Sequence, residues 1–524
     1  MSFGGSILFD RPVDDQAEGH VAPACFHDLH LDRIVASVTV GREEYDLAPF
    51  FHLPLRDLAT VRYRHEVFRD LESKALCLHL ASFASSMRAM RACLAQVAAL
   101  HYPHQKQRCL LDAATTYCRA VQRLASDLGA ADLRSRGLEE FREYVSSYAL
   151  SEDFATLRSA TNQLEASLSA IGYRLHIEGD RIEVDRYQSE RDYSAAVAQT
   201  FEKFKQGETR TYSFTFPDRA EMNHVEAAVV ERVALLYPEV FASLADFSDR
   251  RRDWPDPSVR SFDREIQFYL AFLEYRNRLA AAGLSFCYPE LTSERKDISA
   301  QEAFDLALTE ELSAERRRIV TNDFSLEGPE RILVVSGANQ GGKTTFARAF
   351  GQLHYLAALG CPVPARAARL FLFDRLFTHF EREERVETLT GKLEEELLRM
   401  RRILDDATSR SILLMNESFG STTLSDALFL GKEVLRRVID RDMLAVCVTF
   451  LDELASLDPA TVSMVSTVDP ADPAVRTFKV LRQRANGRAH AVAIARKYRL
   501  SYEDVKGRLA ARVVSRTRTE PPAP

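Results

Sequence analysis

Three glycines, a lysine and two threonines fall within one stretch of nine residues, Gly337-Ala-Asn-Gln-Gly-Gly-Lys-Thr-Thr345. The spacing G-x-x-x-x-G-K-T is that of a loop that wraps phosphate. Gly337, Gly341 and Gly342 let backbone N–H groups close around phosphate oxygens, and a helix N-terminus adds positive potential. In such a loop Lys343 reaches the β- and γ-phosphates, and the Thr344 hydroxyl ligates Mg²⁺. The β-branched run Ile332-Leu-Val-Val335 before it predicts a buried strand, and Phe346-Ala-Arg-Ala-Phe350 after it predicts a helix. Strand, loop and helix together point to ATP or another nucleoside triphosphate.

A second strand is predicted at Ser411-Ile-Leu-Leu-Met-Asn416-Glu417-Ser418. A P-loop enzyme needs a carboxylate at such a strand end to hold Mg²⁺, then a glutamate to orient the attacking water. Here the first position is Asn416, whose amide oxygen brings no charge, so Mg²⁺ is held more weakly. Glu417 remains as general base. Between the two motifs, Leu393, Leu397, Met400 and Leu404 form one helical face, with Thr390 suited to the N-cap. This segment reads either as a capped helix or as an ABC-type signature, in which Thr390, Gly391 and Lys392 meet the γ-phosphate of a partner subunit.

These residues must be positioned by a large scaffold. The chain of 524 residues is long enough for several domains, and 46% hydrophobic with 28% charged residues is ordinary for a globular protein. Net charge is −7, so any nucleic-acid contact must come from local patches. Eight cysteines without a C-x-x-C pair argue against zinc and disulfides and for a reducing cytoplasm. The start of the chain lacks a signal-peptide pattern, and no apolar run is long enough to span a membrane.

From about 56 to 170 the chain reads as helix, with Leu76, Leu80, Phe83, Met87, Met90 and Leu94 recurring at steps of four and three. Alternation around Glu178-Gly-Asp180 predicts a hairpin within 171–187, and Tyr212-Ser-Phe-Thr-Phe216 a further strand. Two long helices follow. One carries Val225, Val229, Val233, Leu236 and Val240; the other carries Phe262, Ile266, Tyr269 and Leu273. From about 301 to 500 strands alternate with helices.

Residues 319–506 resemble the ATPase domain of the MutS DNA mismatch-repair family. Gly337 to Thr345 is similar to its G-P-N-M-G-G-K-S-T, with Ala338 and Gln340 as departures. Asn416-Glu417 falls on its D-E pair, Thr422-Thr423-Leu-Ser-Asp426 on its T-S-T-x-D, and Val320-Thr-Asn322-Asp323 on the segment before its P-loop strand, near the adenine. Gly487-Arg-Ala-His-Ala-Val-Ala resembles a late motif that leads into dimerisation helices. More faintly, Leu53-Pro-Leu-Arg-Asp57 resembles the start of the family's helical core. The resemblance implies a nucleotide site made by Asn322, Gly337, Asn339, Gly341, Gly342, Lys343, Thr344 and Thr345, with Mg²⁺ on Thr344 and Asn416. It implies a homodimer whose sites are completed in trans, and a DNA-binding function in repair.

The resemblance also sets the expected architecture: a multidomain chain with an all-α core and lever, a small β clamp-like hairpin, and an α/β P-loop ATPase domain of ABC type. Residues 1–50 are left unassigned, 51–300 form the core and lever with the clamp near 171–216, 301–510 form the ATPase with its dimerisation helices, and 511–524 form a disordered tail. Two further departures are Thr449-Phe450 in place of a T-H switch and Gly391 at the signature serine; with Asn416 they imply slow hydrolysis. Only about fifty residues precede the core match, without a Phe-x-Glu wedge, which implies DNA structures such as branched or looped duplex rather than mismatches. Arg174, Arg181 and Arg186, with Lys203, Lys205 and Arg210, are the candidates for phosphate contacts, interspersed with Glu178, Asp180, Glu183 and Asp185. A nucleotide-gated scaffold that senses a protein or ribonucleoprotein partner is the alternative.

Overall fold

The computed structural model describes residues 5–11, 21–179, 181–188, 222–250, 254–315, 317–381, 391–472, 475–485 and 506. Among these residues the chain is a multidomain α/β protein with two compact units.

The first unit comprises Leu71–Arg134 and Leu138–Asp263. Its helices Lys74–Ala99 and Pro103–Ala130 pack side by side. Of the predicted stripe the first buries Leu76, Leu80, Phe83, Met87 and Met90 and leaves Leu94 half-buried, and Ser73 caps it by accepting from the Leu76 N–H. Phe141 stacks on Phe262 with ring centres 3.6 Å apart. The helix predicted through Val225 to Val240 is instead two helices, His224–Leu236 and Pro238–Arg250. Pro238 has no N–H to donate to the preceding turn and clashes with it, so the first helix must end. Asn223 and Glu226 form a capping box at its start.

Strands β1 (Tyr173–Glu178) and β2 (Arg181–Arg186) pair antiparallel, with Leu175 opposite Val184 and Ile177 opposite Ile182. Gly179, at φ +63°, makes the turn. Both faces of the hairpin are largely exposed. The strand predicted at Tyr212–Phe216 lies outside the described residues, as do Lys203, Lys205 and Arg210.

The second unit comprises the described residues of Gly5–Asp70, Ser135–Gly137 and Arg264–Pro524. Its strands are β3 (Glu290–Thr292), β4 (Ile298–Ala303), β5 (Asn322–Leu326), β6 (Ile332–Gly337), β7 (Ala367–Phe371), β8 (Leu376–Phe380), β9 (Ile412–Asn416), β10 (Leu444–Val448), β11 (Thr461–Val468) and β12 (Arg476–Arg482). Six of them form a sheet in the order β12-β11-β6-β10-β9-β8, parallel except for the antiparallel edge strand β12. A four-stranded sheet, β3-β7-β4-β5, stands beside it in the same unit. The central strands are apolar on both faces, Ile332 to Val335 and Ile412 to Met415 being buried throughout, as a covered parallel sheet requires.

The units do not follow a division at residues 50 and 300. The described residues from Gly5 to residue 50 and the helix Leu58–Asp70 belong with the sheets. Short helices at Cys25–Asp28, Leu31–Thr39 and Ala48–His52 bury Phe26, Leu29, Ile34, Val38 and Phe51. The first and third lie on the P-loop helix Lys343–Ala358, where Gln352 donates to Leu29 O at 2.9 Å and Tyr355 to Phe51 O at 2.9 Å, while Leu31–Thr39 packs against the helix Leu306–Ala314. These short pieces find their cover on helices far away in sequence, Lys343–Ala358 and Leu306–Ala314.

Candidate nucleotide site

The P-loop lies where β6 ends and the helix Lys343–Ala358 begins. Gly337, at φ +105°, cannot be replaced without collision: a Cβ would sit 2.7 Å from Ser466 O on the neighbouring strand β11. Gly342 caps the helix at φ +92°, again a left-handed backbone that favours glycine. The sheet order, with β10 between β6 and β9, sets Asn416 and Glu417 beside this loop.

Lys343 is the pivot. Its side chain is 4% exposed, and its Nζ lies 3.2 Å from Gly337 O, 3.2 Å from Asn339 Oδ1 and 3.8 Å from Glu417 Oε1. Burial pushes its pKa down, and Glu417 and Asp452 pull it part of the way back. A desolvated ammonium ringed by oxygens is prepared to exchange them for phosphate. Beside it the Thr344 hydroxyl donates to Asn416 Oδ1 at 3.0 Å. These two hard, neutral oxygens suit Mg²⁺ by type but add no charge. Among the described residues no three His, Cys, Asp or Glu side chains converge on a metal position.

Glu417 is held at the sheet end by its N–H, which donates to Val448 O at 2.9 Å. Thr449 is buried, and Phe450 after it is 50% exposed. Asn322 turns its side chain to β12: Oδ1 accepts from the Val480 N–H at 2.8 Å and Nδ2 donates to Phe478 O at 3.2 Å. Three residues beside the loop escaped the sequence reading. Ser466 donates to Ala338 O at 3.3 Å, Arg476 donates to Asn339 O at 3.1 Å, and Phe478 at φ +59° lies alongside Gly342. They arrive through the β6-β11-β12 order, a non-local arrangement that no local pattern announces.

The signature segment differs in detail from its expected form. The helix runs Lys392–Asp406 and its cap is Gly391, in extended conformation, not Thr390. Gly391 has no side chain to cap with, and Lys392 pairs with Glu381 at 2.8 Å. Thr390 lies outside the described residues, as does the late motif from Gly487. On the hairpin, Arg174 pairs with Asp185 at 3.2 Å and Arg181 with Glu183 at 2.9 Å. Arg186 donates to Leu236 O and lies over the Tyr237 ring.

A sequence profile of MutS domain V matches residues 333–506. That match takes in the P-loop, Asn416 and Glu417, so this part of the chain is similar to MutS domain V. Over 188 residues the chain is 29% identical to the endonuclease MutS2 of Thermus thermophilus, covering 36% of this chain and 25% of that protein. It is 26% identical over 328 residues to the DNA mismatch repair protein MutS of Chlorobaculum tepidum, covering 61% and 35%. The MutS of Desulfovibrio desulfuricans is 26% identical over 279 residues, covering 51% and 30%. The chain thus spans about a quarter to a third of the length of the MutS relatives it matches. Among the described residues no helix is long and apolar enough to cross a membrane.

Proposed function

We propose that the chain is a slow, nucleotide-gated ATPase that works as a homodimer on DNA, with branched or looped duplex as its substrate form, in repair or recombination. The observation that carries this reading is the double pairing at the sheet end, Lys343 with Glu417 and Thr344 with Asn416. The loop N–H groups and helix N-terminus receive the β- and γ-phosphates, and Lys343 trades its protein oxygens for theirs. Glu417 takes a proton from a water whose oxygen attacks the γ-phosphorus. The bond to the β–γ bridging oxygen breaks, and ADP and inorganic phosphate leave. Mg²⁺, held with the triphosphate by Thr344 and Asn416, neutralises phosphate charge when bound.

Gly391 and Lys392, with Thr390, then meet the nucleotide of the partner subunit. The helical unit serves as core and lever, and the β1–β2 hairpin as a clamp that touches the DNA backbone through Arg174, Arg181 and Arg186, with Lys203 and Lys205 beyond it in sequence as further contacts. The names of the relatives, a mismatch-repair protein and an endonuclease of the same family, support DNA as the partner. The protein works in the cytoplasm.

One observation favours the second reading, a nucleotide-gated scaffold for a protein or ribonucleoprotein. Arg174 and Arg181 already have carboxylate partners on their own hairpin, which cancels the field that a phosphate backbone would feel. ATP turnover by the purified protein with linear, looped and four-way-junction DNA separates the two. Stimulation by one form, absent in Glu417→Gln, supports the DNA reading; ATP binding unaffected by any DNA sinks it.

A further inference from the structure

The turn after β9 is bent by two left-handed residues that are not glycine, Glu417 at φ +50° and Phe419 at φ +65°. L side chains rarely adopt this region, and such a backbone persists only where its surroundings over-determine it. Besides the Glu417 N–H bond to β10, two contacts come from behind. Ser418 Oγ lies 2.8 Å from His379 Nδ1 and donates to His379 O at 3.2 Å. The Phe419 N–H donates to Glu396 Oε2 at 3.1 Å. His379 closes the circuit, its Nε2 standing 3.2 Å from Glu396 O.

Glu396 belongs to the helix Lys392–Asp406, little more than a turn beyond its Gly391 cap. Glu394 and Glu395 beside it are exposed, as acidic residues in a first helical turn usually are. Glu396 alone of the three is buried, at 8% exposure, and so is His379 at 1%. A carboxylate taken out of water needs hydrogen bonds to offset the loss of hydration. The Phe419 N–H supplies one. A charged side chain has been placed inside, against its solvation preference, to hold one backbone amide two residues after Glu417.

We propose that Glu396 is a positioning residue for hydrolysis: through Phe419 it fixes the turn that presents Glu417, and it ties the aim of that base to the signature helix. The proposal rests on the reading of Glu417 as general base. A shift of the helix along its axis moves Oε2 relative to the Phe419 N–H and releases the turn. Hydrolytic competence therefore depends on where that helix stands.

The test uses the full chain and compares wild type, Glu396→Ala, Glu396→Gln, Glu417→Gln and the Glu396→Ala/Glu417→Gln double variant. Steady-state ATP turnover, binding of a non-hydrolysable fluorescent ATP analogue and thermal melting are measured for each. Glu396→Ala is expected to lower kcat about ten- to a hundredfold, the scale of a misplaced catalytic group, with analogue affinity within about twofold. Glu396→Gln, whose amide oxygen still accepts from Phe419, retains most of the rate. The double variant is no slower than Glu417→Gln, because Glu396 acts through that residue. Wild-type turnover in Glu396→Ala, multiplying losses in the double variant, or equal loss in Glu396→Gln and Glu396→Ala each overturns the proposal. So does joint loss of analogue binding and melting temperature. If the wild type does not turn over, or Glu417→Gln turns over at its rate, the general-base reading fails and this proposal falls with it. A slow Glu417→Gln beside an unimpaired Glu396→Ala overturns this proposal alone.

Discussion

Lys343 and the hairpin arginines carry the same charge in opposite settings. The Lys343 side chain is 4% exposed with three oxygen-bearing neighbours fixed by strand ends, whereas Arg174 and Arg181 are 51% and 76% exposed and pair with carboxylates two or more positions along their own hairpin. Desolvation makes the first charge costly unless its oxygens are in place, so the fold over-determines it with left-handed glycines, a buried serine and a bent Glu417 turn. Water makes the other charges cheap and loosely held. Chemistry can therefore be read from residue type and spacing at the buried site. At the hairpin the same residue types leave the partner open.

The sharpest way to break this contrast is Lys343→Ala. It is expected to weaken binding of a fluorescent ATP analogue at least about a hundredfold, since a charge-assisted contact is lost inside the site. Affinity near wild type would place phosphate recognition elsewhere. Buried charge also predicts a pH response. Glu265 is half-buried and accepts from the Ile7 N–H at 2.8 Å, and desolvation pushes its pKa up to about 7 from an ordinary 4.5. The unfolded chain releases that proton first, so stability falls as pH rises from about 4.5 to about 7, by roughly 3 kcal/mol at most. Glu265→Gln keeps the acceptor and should flatten that part of the stability–pH curve measured by urea unfolding; an unchanged slope would contradict it.

A smaller effect sharpens the metal half of the comparison. Asn416→Asp restores a charged oxygen beside Thr344, and the Mg²⁺ concentration for half-maximal turnover is expected to fall about tenfold, roughly 1.4 kcal/mol. No change in the Mg²⁺ titration would separate Asn416 from the metal. The smallest effect belongs to the hairpin: Arg174→Ala and Arg181→Ala should each shift unfolding by less than about 1 kcal/mol. A larger loss would mean that the exposed pairs are structural after all.

The P-loop strand, its helix and the strand before Glu417 were legible because each rests on local patterns, continuous apolar runs and glycines at fixed spacing. The break at Pro238 was missed because the valine stripe keeps its phase across the proline. The residues before the core match stayed unassigned because Phe26 and Leu29, with Phe51 just after them, find cover far away in sequence, on the helix Lys343–Ala358 and on Phe268. At the signature segment three glutamates in a row look alike in sequence; only packing turns Glu396 inward. Ser466, Arg476 and Phe478 reach the site through strand order, which local periodicity does not encode.

The most direct test of the account is single-turnover hydrolysis of γ-labelled ATP with Mg²⁺ by the wild type and Glu417→Gln, alongside analogue binding. The account predicts slow but measurable phosphate release by the wild type, loss of at least about a hundredfold in Glu417→Gln, and equal analogue affinity for both. Equal rates in the two proteins would contradict it, and would remove Glu417 from the chemistry that the sheet end was read to perform.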